Sequence, residues 1–209
     1  MNAAPWEGEL QSQLDDEGYA VLRAVVPTPA VHAALRLLNL AIRRHGLSSE
    51  EIAECQQTTF FPHLRWEPEV WAVLPEPASR ILRQREGDEW AEAQLLLRFP
   101  DESVPWPLVP HVDEPPGWAE GRPYRGIVGV ALTDADVDHG PPCVWPGSHR
   151  LGPPSDRTGG PAVAPDAAVQ VPMKAGDAIV MDPMLRHAGT LNLGPHVRHA
   201  VYFRLIASS

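Results

Sequence analysis

Apolar residues recur at two different periods along the chain, and the change of period divides it. From Pro5 to Asp16 the pattern is weakly amphipathic at helical spacing, and Gly18 stops it. Tyr19 to Val26 is a β-branched and aromatic run bounded by Gly18 and Pro27, which predicts a strand. Thr28-Pro29 then supplies a capping residue followed by proline at the first helical position. Val31, Leu35, Leu38 and Ile42 share one face of the helix so opened, and Arg43, Arg44 and Gly46 close it. Ser48 and Glu51 form a capping box for a short second helix. Glu67-Pro68 opens another through Trp71 and Leu74, and Pro77 to Gln84 a further one.

After about residue 90 the apolar runs become short and are bounded by Gly, Pro or Asp. They are Leu95 to Phe99, Leu108 to Val112, Gly126 to Leu132, Val169 to Pro172, Asp177 to Met181 and Val197 to Ile206. Short strands separated by turn signals predict a sandwich or barrel and exclude a parallel α/β sheet. The expected fold class is therefore mainly β with N-terminal helices (α+β). A single domain spans 1–209, with 1–90 as a mainly helical support region and 91–209 as the β core. Proline supports this, because 24 of 209 residues is more than twice the usual ~5%, and proline is excluded from helix interiors and central strands. Gly152 to Asp166, rich in Gly, Pro and Ser, is expected to be a surface excursion or a lid.

Charge narrows the function classes. A formal net charge of −10 argues against a nucleic-acid partner, which needs concentrated Lys and Arg, while leaving room for a local arginine-lined pocket. Cys55 and Cys143 give neither a disulfide framework nor a CxxC zinc pattern. No apolar run approaches the ~18 residues of a membrane span, and no leader pattern is present. The expectation is a cytoplasmic protein with a small-molecule partner and no membrane or nucleic-acid partner; oligomeric state is not legible.

The chemistry centres on His111-Val112-Asp113. In a strand, residues i and i+2 point to one face, so His111 and Asp113 lie side by side with Val112 turned away. His187, just after the apolar run Ala178 to Met181, is the best third ligand. Two imidazoles and one carboxylate with open positions opposite suit non-haem Fe(II), and a catalytic zinc uses a similar set. The other seven of the nine histidines, at 32, 45, 63, 139, 149, 196 and 199, read as structural or surface residues. Beyond His187, Asn192 to Pro195 is strong turn chemistry. A hairpin closing between Asn192 and Leu193 would set Arg198 across from His187, since 187 + 198 = 192 + 193. Such a guanidinium suits a ligand with a carboxylate at one end and a chelating group at the other.

These residues, in this order, resemble the phytanoyl-CoA dioxygenase family of Fe(II)- and 2-oxoglutarate-dependent oxygenases. Asp15-Asp16-Glu17-Gly18-Tyr19-Ala20-Val21-Leu22 is similar to the family's acidic-Gly-Tyr strand entry. Gln94 to Pro100 resembles the strand before the metal motif, and Gly140 to His149 the segment ending in Pro-Gly-Ser-His. Arg198 falls at the family's eleven-residue offset from His187. The resemblance implies a double-stranded β-helix (jelly-roll, cupin-like) core. It implies that His111, Asp113 and His187 bind iron and that Arg198 holds the distal carboxylate of 2-oxoglutarate, with Gln94 beside the cosubstrate. The hydroxylated residue often found two after the distal histidine is here Gly189, so Thr190 is the candidate to replace it. Pro110 stands where an aromatic residue usually precedes the metal motif. Related halogenases lack the metal-binding carboxylate, so the presence of Asp113 implies hydroxylation or another oxidative outcome instead of halogenation. The implied reaction consumes O2 and 2-oxoglutarate, releases succinate and CO2, and oxidises a substrate C–H.

Trp118, Arg125, Phe60, Phe61, His63 and Arg65 are candidates for the substrate mouth. Two other classes compete with the oxygenase: a jelly-roll protein that binds a metal or ligand without turnover, and a cupin-type metal-dependent hydrolase or isomerase. Only the oxygenase requires Arg198 to face the metal.

Overall fold

The computed structural model describes residues 5–44, 60–61, 66–100, 110–113, 124–152 and 164–208. Helix α1 (Pro5–Glu17) starts on proline and ends at Gly18, whose N–H donates to the Leu14 carbonyl at 2.9 Å. Gly18 has φ of 83°, and a Cβ there would lie 2.5 Å from His149 Nδ1, so both conformation and space demand glycine.

Strand β1 (Tyr19–Leu22) is shorter than the predicted run to Val26. The Asp177 carboxylate is the reason: it accepts the Ala24 N–H at 2.7 Å and Arg23 Nη1 at 2.8 Å, turning the chain at Ala24, where φ is 48°. Helix α2 (Thr28–Arg44) follows and buries Val31, Ala34 and Leu38. Two short proline-initiated helices, α3 (Pro68–Trp71) and α4 (Pro77–Ile81), add Val70 and Ile81 to the same core. The capping box at Ser48 and Glu51 lies outside the described residues. No helix among the described residues is long and apolar enough to cross a membrane.

The remaining strands are β2 (Phe60–Phe61), β3 (Glu89–Arg98), β4 (Tyr124–Ala131), β5 (Pro142–Val144), β6 (Val169–Gln170), β7 (Ala178–Met181), β8 (His187–Gly189) and β9 (Arg198–Ile206). They form a six-stranded sheet of order β1-β7-β4-β9-β3-β2 and a three-stranded sheet of order β6-β5-β8, with antiparallel pairing throughout. Residues 1–90 are thus more than helical support, since β1 and β2 form both edges of the large sheet.

Period-2 alternation gives the large sheet two unlike faces. Val201, Phe203 and Leu205 of β9 join Ala93, Leu95 and Leu97 of β3 on the face covered by the helices. The opposite face packs on the small sheet, where Ile127, Ile179 and Met181 meet Val144, Met173 and Leu185. This is a mainly β, jelly-roll architecture of two open sheets packed face to face, buttressed on one side by helices.

Candidate active site

The metal motif is tied to the small sheet by its backbone. His111 and His187 exchange both N–H···O=C bonds at 3.0 Å, and β8 pairs on its other side with β5, Val144 opposite His187. This pairing brings together two histidines from remote parts of the chain, with ring centroids 4.5 Å apart. Val112 is buried, whereas Asp113 stands beside the two rings. One ligating atom each from His111, Asp113 and His187 lie within 4.8 Å of one another, the cluster of this kind among the described residues.

Two further contacts prepare these side chains. The His187 Nδ1 is 3.0 Å from the Leu185 carbonyl, a contact that only an Nδ1–H donor satisfies, so Nε2 is left to face the site 3.3 Å from Asp113 Oδ1. Asp113 Oδ2 accepts Arg204 Nη2 at 2.8 Å. Burial opposes charge on Asp113, yet the His187 hydrogen bond and the surrounding cations outweigh it and hold the carboxyl well below the usual range. Burial likewise opposes charge on His187, but the hydrogen bond and negative charge of Asp113 raise its pKa. An ionised carboxylate beside two oriented imidazoles is a donor set that fits Fe(II).

A cavity of about 200 Å³ opens on the triad, far above the roughly 10–15 Å³ that a single water needs. Gln94, Arg98, Arg198, Tyr202 and Arg204 line it along β3 and β9. Three guanidinium groups against one carboxylate, Asp113, make this pocket cationic on a chain of charge −10.

Arg198 reaches the cavity by a different route from the expected hairpin. His187 lies in the small sheet, whereas Arg198 begins β9 in the large sheet opposite Arg98, so the two are not cross-strand partners. The turn chemistry is present, since Asn192 Oδ1 accepts the Gly194 N–H and Asn192 Nδ2 donates to the Arg98 and His196 carbonyls. Those bonds carry the chain from one sheet to the other instead of folding it back. Arg198 is buried, and its Nη1 donates to the Gly140 carbonyl.

Thr190 does not line the cavity; its hydroxyl donates to the Pro141 carbonyl at 2.7 Å. The space beside Gly189 is filled by Arg98 instead, whose Nη2 would lie 3.1 Å from a Cβ at that position and donates to the Gly189 carbonyl. Arg125 is also away from the cavity, at ion-pair distance from Asp88 (2.8 Å). Phe60 and Phe61 pair through their backbones with Leu96 and Leu95. Trp118, His63 and Arg65 lie outside the described residues, as do most of Gly152 to Asp166. Sequence reading missed Arg98 and Arg204, although alternation marks both: 94, 96 and 98 share one face of β3, and 198, 202 and 204 one face of β9.

The Pro-Gly-Ser-His segment acts on this site from behind. Ser148 Oγ accepts the Arg186 N–H at 2.9 Å, Arg186 Nη1 donates to the Ser148 carbonyl at 2.6 Å, and the Trp145 N–H donates to the Arg186 carbonyl at 3.0 Å. Gly147, with φ of 75°, makes the turn that permits this. The residue before His187 is therefore clamped on three sides.

A facing pair of antiparallel sheets with a two-histidine, one-carboxylate centre between them is the architecture of a non-haem oxygenase. The family model described as phytanoyl-CoA dioxygenase matches residues 14–200, and the chain belongs to that family. It is accordingly a 2-oxoglutarate-dependent oxidoreductase with Fe(II) and 2-oxoglutarate as cofactors. Among solved structures of the same fold is SnoK, a non-haem α-ketoglutarate-dependent carbocyclase from nogalamycin biosynthesis. It has a TM-score of 0.69 at 20% identity over 98% of this chain and 84% of that one. EvdO2 from Micromonospora carbonacea var. aurantiaca, complexed with 2-oxoglutarate, gives 0.69 at 19% identity over 100% and 92%. The epimerase SnoN, in complex with Fe3+, α-ketoglutarate and nogalamycin RO, gives 0.67 at 18% identity over 97% and 84%.

Proposed function

We propose that this oxygenase oxidises an unactivated C–H of a small molecule, with hydroxylation as the outcome, in natural-product biosynthesis. The observation that carries this reading is the single cavity shared by the His111, Asp113 and His187 side chains and the Arg198 guanidinium. His111, Asp113 and His187 hold iron, which supplies the redox chemistry that couples decarboxylation of 2-oxoglutarate to substrate oxidation. Arg198, fixed by the Gly140 carbonyl, holds the distal carboxylate; Gln94 lines the same wall. The partly buried walls of the cavity strengthen that charge pairing relative to open water. Three cationic residues favour the doubly charged acid, and the presence of Asp113 favours hydroxylation over halogenation.

The carbocyclase and epimerase named among the structural neighbours suggest a small-molecule natural product as substrate and make cyclisation or epimerisation the second reading. Anaerobic addition of Fe(II) and 2-oxoglutarate should produce the weak visible charge-transfer band of the chelate. Admission of O2 with candidate substrates should then release succinate, and product mass distinguishes the outcomes, hydroxylation adding one oxygen. Absence of both band and succinate would sink the oxygenase reading in favour of passive metal binding.

A further inference from the structure

Arg204 shares the inner face of β9 with Arg198 but reaches a different target. Its Nη2 donates to Asp113 Oδ2 at 2.8 Å, and both side chains are nearly buried, at 11% and 12% exposure. Tyr124 supports the guanidinium from β4, its ring centroid 5.8 Å from the Arg204 Cζ. The other carboxylate oxygen, Oδ1, is the one beside His187 Nε2. The two oxygens of Asp113 are therefore divided between two partners, one on the cation side and one on the imidazole side.

We propose that Arg204 is a positioning residue that confines Asp113 to one-oxygen ligation and so keeps a coordination position open for O2. The inference rests on the iron and 2-oxoglutarate reading above. A carboxylate is free to offer a metal one oxygen or two. In an octahedral centre, two imidazoles and one carboxylate oxygen fill three positions, a 2-oxo acid chelate fills two, and one remains. A second oxygen from Asp113 would take that last position. Arg204 prevents this because its guanidinium is permanently charged and planar, and holds Oδ2 turned away. A lysine or a neutral amide would hold it less firmly, a lysine by one flexible point charge and an amide without charge.

The test compares wild-type protein with Arg204→Gln and Arg204→Lys. Each is loaded anaerobically with Fe(II) and 2-oxoglutarate, after metal-free melting shows a cooperative fold. Nitric oxide, which needs an open position, reports that position through its electron paramagnetic resonance signal. Isotope-edited infrared spectra of labelled aspartate report ligation mode, with widely split carboxylate stretches for one oxygen and closely split stretches for two. In Arg204→Gln, iron should be retained, the split should narrow, and nitric oxide affinity should fall by about tenfold or more. Arg204→Lys should recover part of both signals. Unchanged splitting and unchanged nitric oxide binding in Arg204→Gln would overturn the proposal. So would a narrow split in the wild-type protein, whether or not the variants fold. A merely structural role would instead lower melting temperature and iron affinity together. Failure of the wild-type protein to bind iron would strike the oxygenase reading itself, a separable result.

Discussion

At the β1-β7-β4 end of the sandwich, the inner face of the large sheet presents Ile127, Ile179 and Met181 to Val144, Met173 and Leu185 of the opposing layer. At the β9-β3 end the same face presents Arg198, Tyr202 and Arg204 with Gln94 and Arg98, and the opposing layer presents His111, Asp113 and His187 across a cavity. One alternation thus builds a packed end and an open end. The packed end gains from burial, about 25 cal/mol for each Å² of apolar surface. The open end has to hold charges apart from water without collapsing, and does so with hydrogen bonds of fixed direction. Arg98 donates to the Gly189 and Thr190 carbonyls, Arg198 to the Gly140 carbonyl and Arg204 to Asp113. Rigidity here comes from packing at one end and from anchored guanidinium groups at the other.

Removing the carboxylate of the open end separates the two ends most strongly. Asp113→Ala should abolish iron binding, measured by anaerobic titration, and retention of iron would mean that the triad is not the ligand set. At the packed end, Ile127→Ala should cost about 2–5 kcal/mol of stability in denaturant unfolding. Iron binding of its folded fraction should match the wild type. Arg198→Ala should do the reverse, keeping iron while weakening 2-oxoglutarate binding by about 1.5–3 kcal/mol, read from the charge-transfer titration. Unchanged cosubstrate affinity would assign the distal carboxylate to another residue, with Arg98 next in line.

The smallest effect concerns Asp177, which joins β7 to the turn after β1. Burial would raise its carboxyl pKa, but N–H donors from Ala24 and Lys174 and the Arg23 guanidinium lower it below the ordinary 3.8. The resulting stability is present above that ordinary value and disappears as pH falls through the lower folded value. Asp177→Asn should therefore cost about 1–2 kcal/mol near neutrality. The gap from wild type should close below about pH 4; a constant gap would mean that charge is not its source.

Much of this was legible before the structure. Helix α2 showed in Val31, Leu35 and Leu38 and in its proline start, and β4, β7 and β9 showed as apolar runs, because regular burial leaves a regular pattern. Strands β5 and β8, three residues each, left no pattern, being defined by what they pair with. The same limit governed the site. His111 and Asp113 were readable as neighbours two residues apart, although His111 makes only an isolated bridge and belongs to no strand. His187 was readable as the candidate ligand after an apolar run. Their closeness, however, depends on a backbone pair that no local signal encodes. The symmetry that placed Arg198 opposite His187 was arithmetic on a turn, and the turn connects two sheets. Thr190 was chosen for its hydroxyl, which a nearby carbonyl claims.

The Pro146-Gly147-Ser148-His149 segment bears on how relatives of this chain should be sorted. It touches Arg186 and Gly18, not the cavity, so it serves the scaffold behind His187 and lines no substrate space. A paralogue that kept those four residues and lost the carboxylate at position 113 would inherit this shape without the two-histidine, one-carboxylate donor set. Differences in chemistry among relatives are to be sought at the cavity positions 113 and 198, not in the Pro-Gly-Ser-His segment.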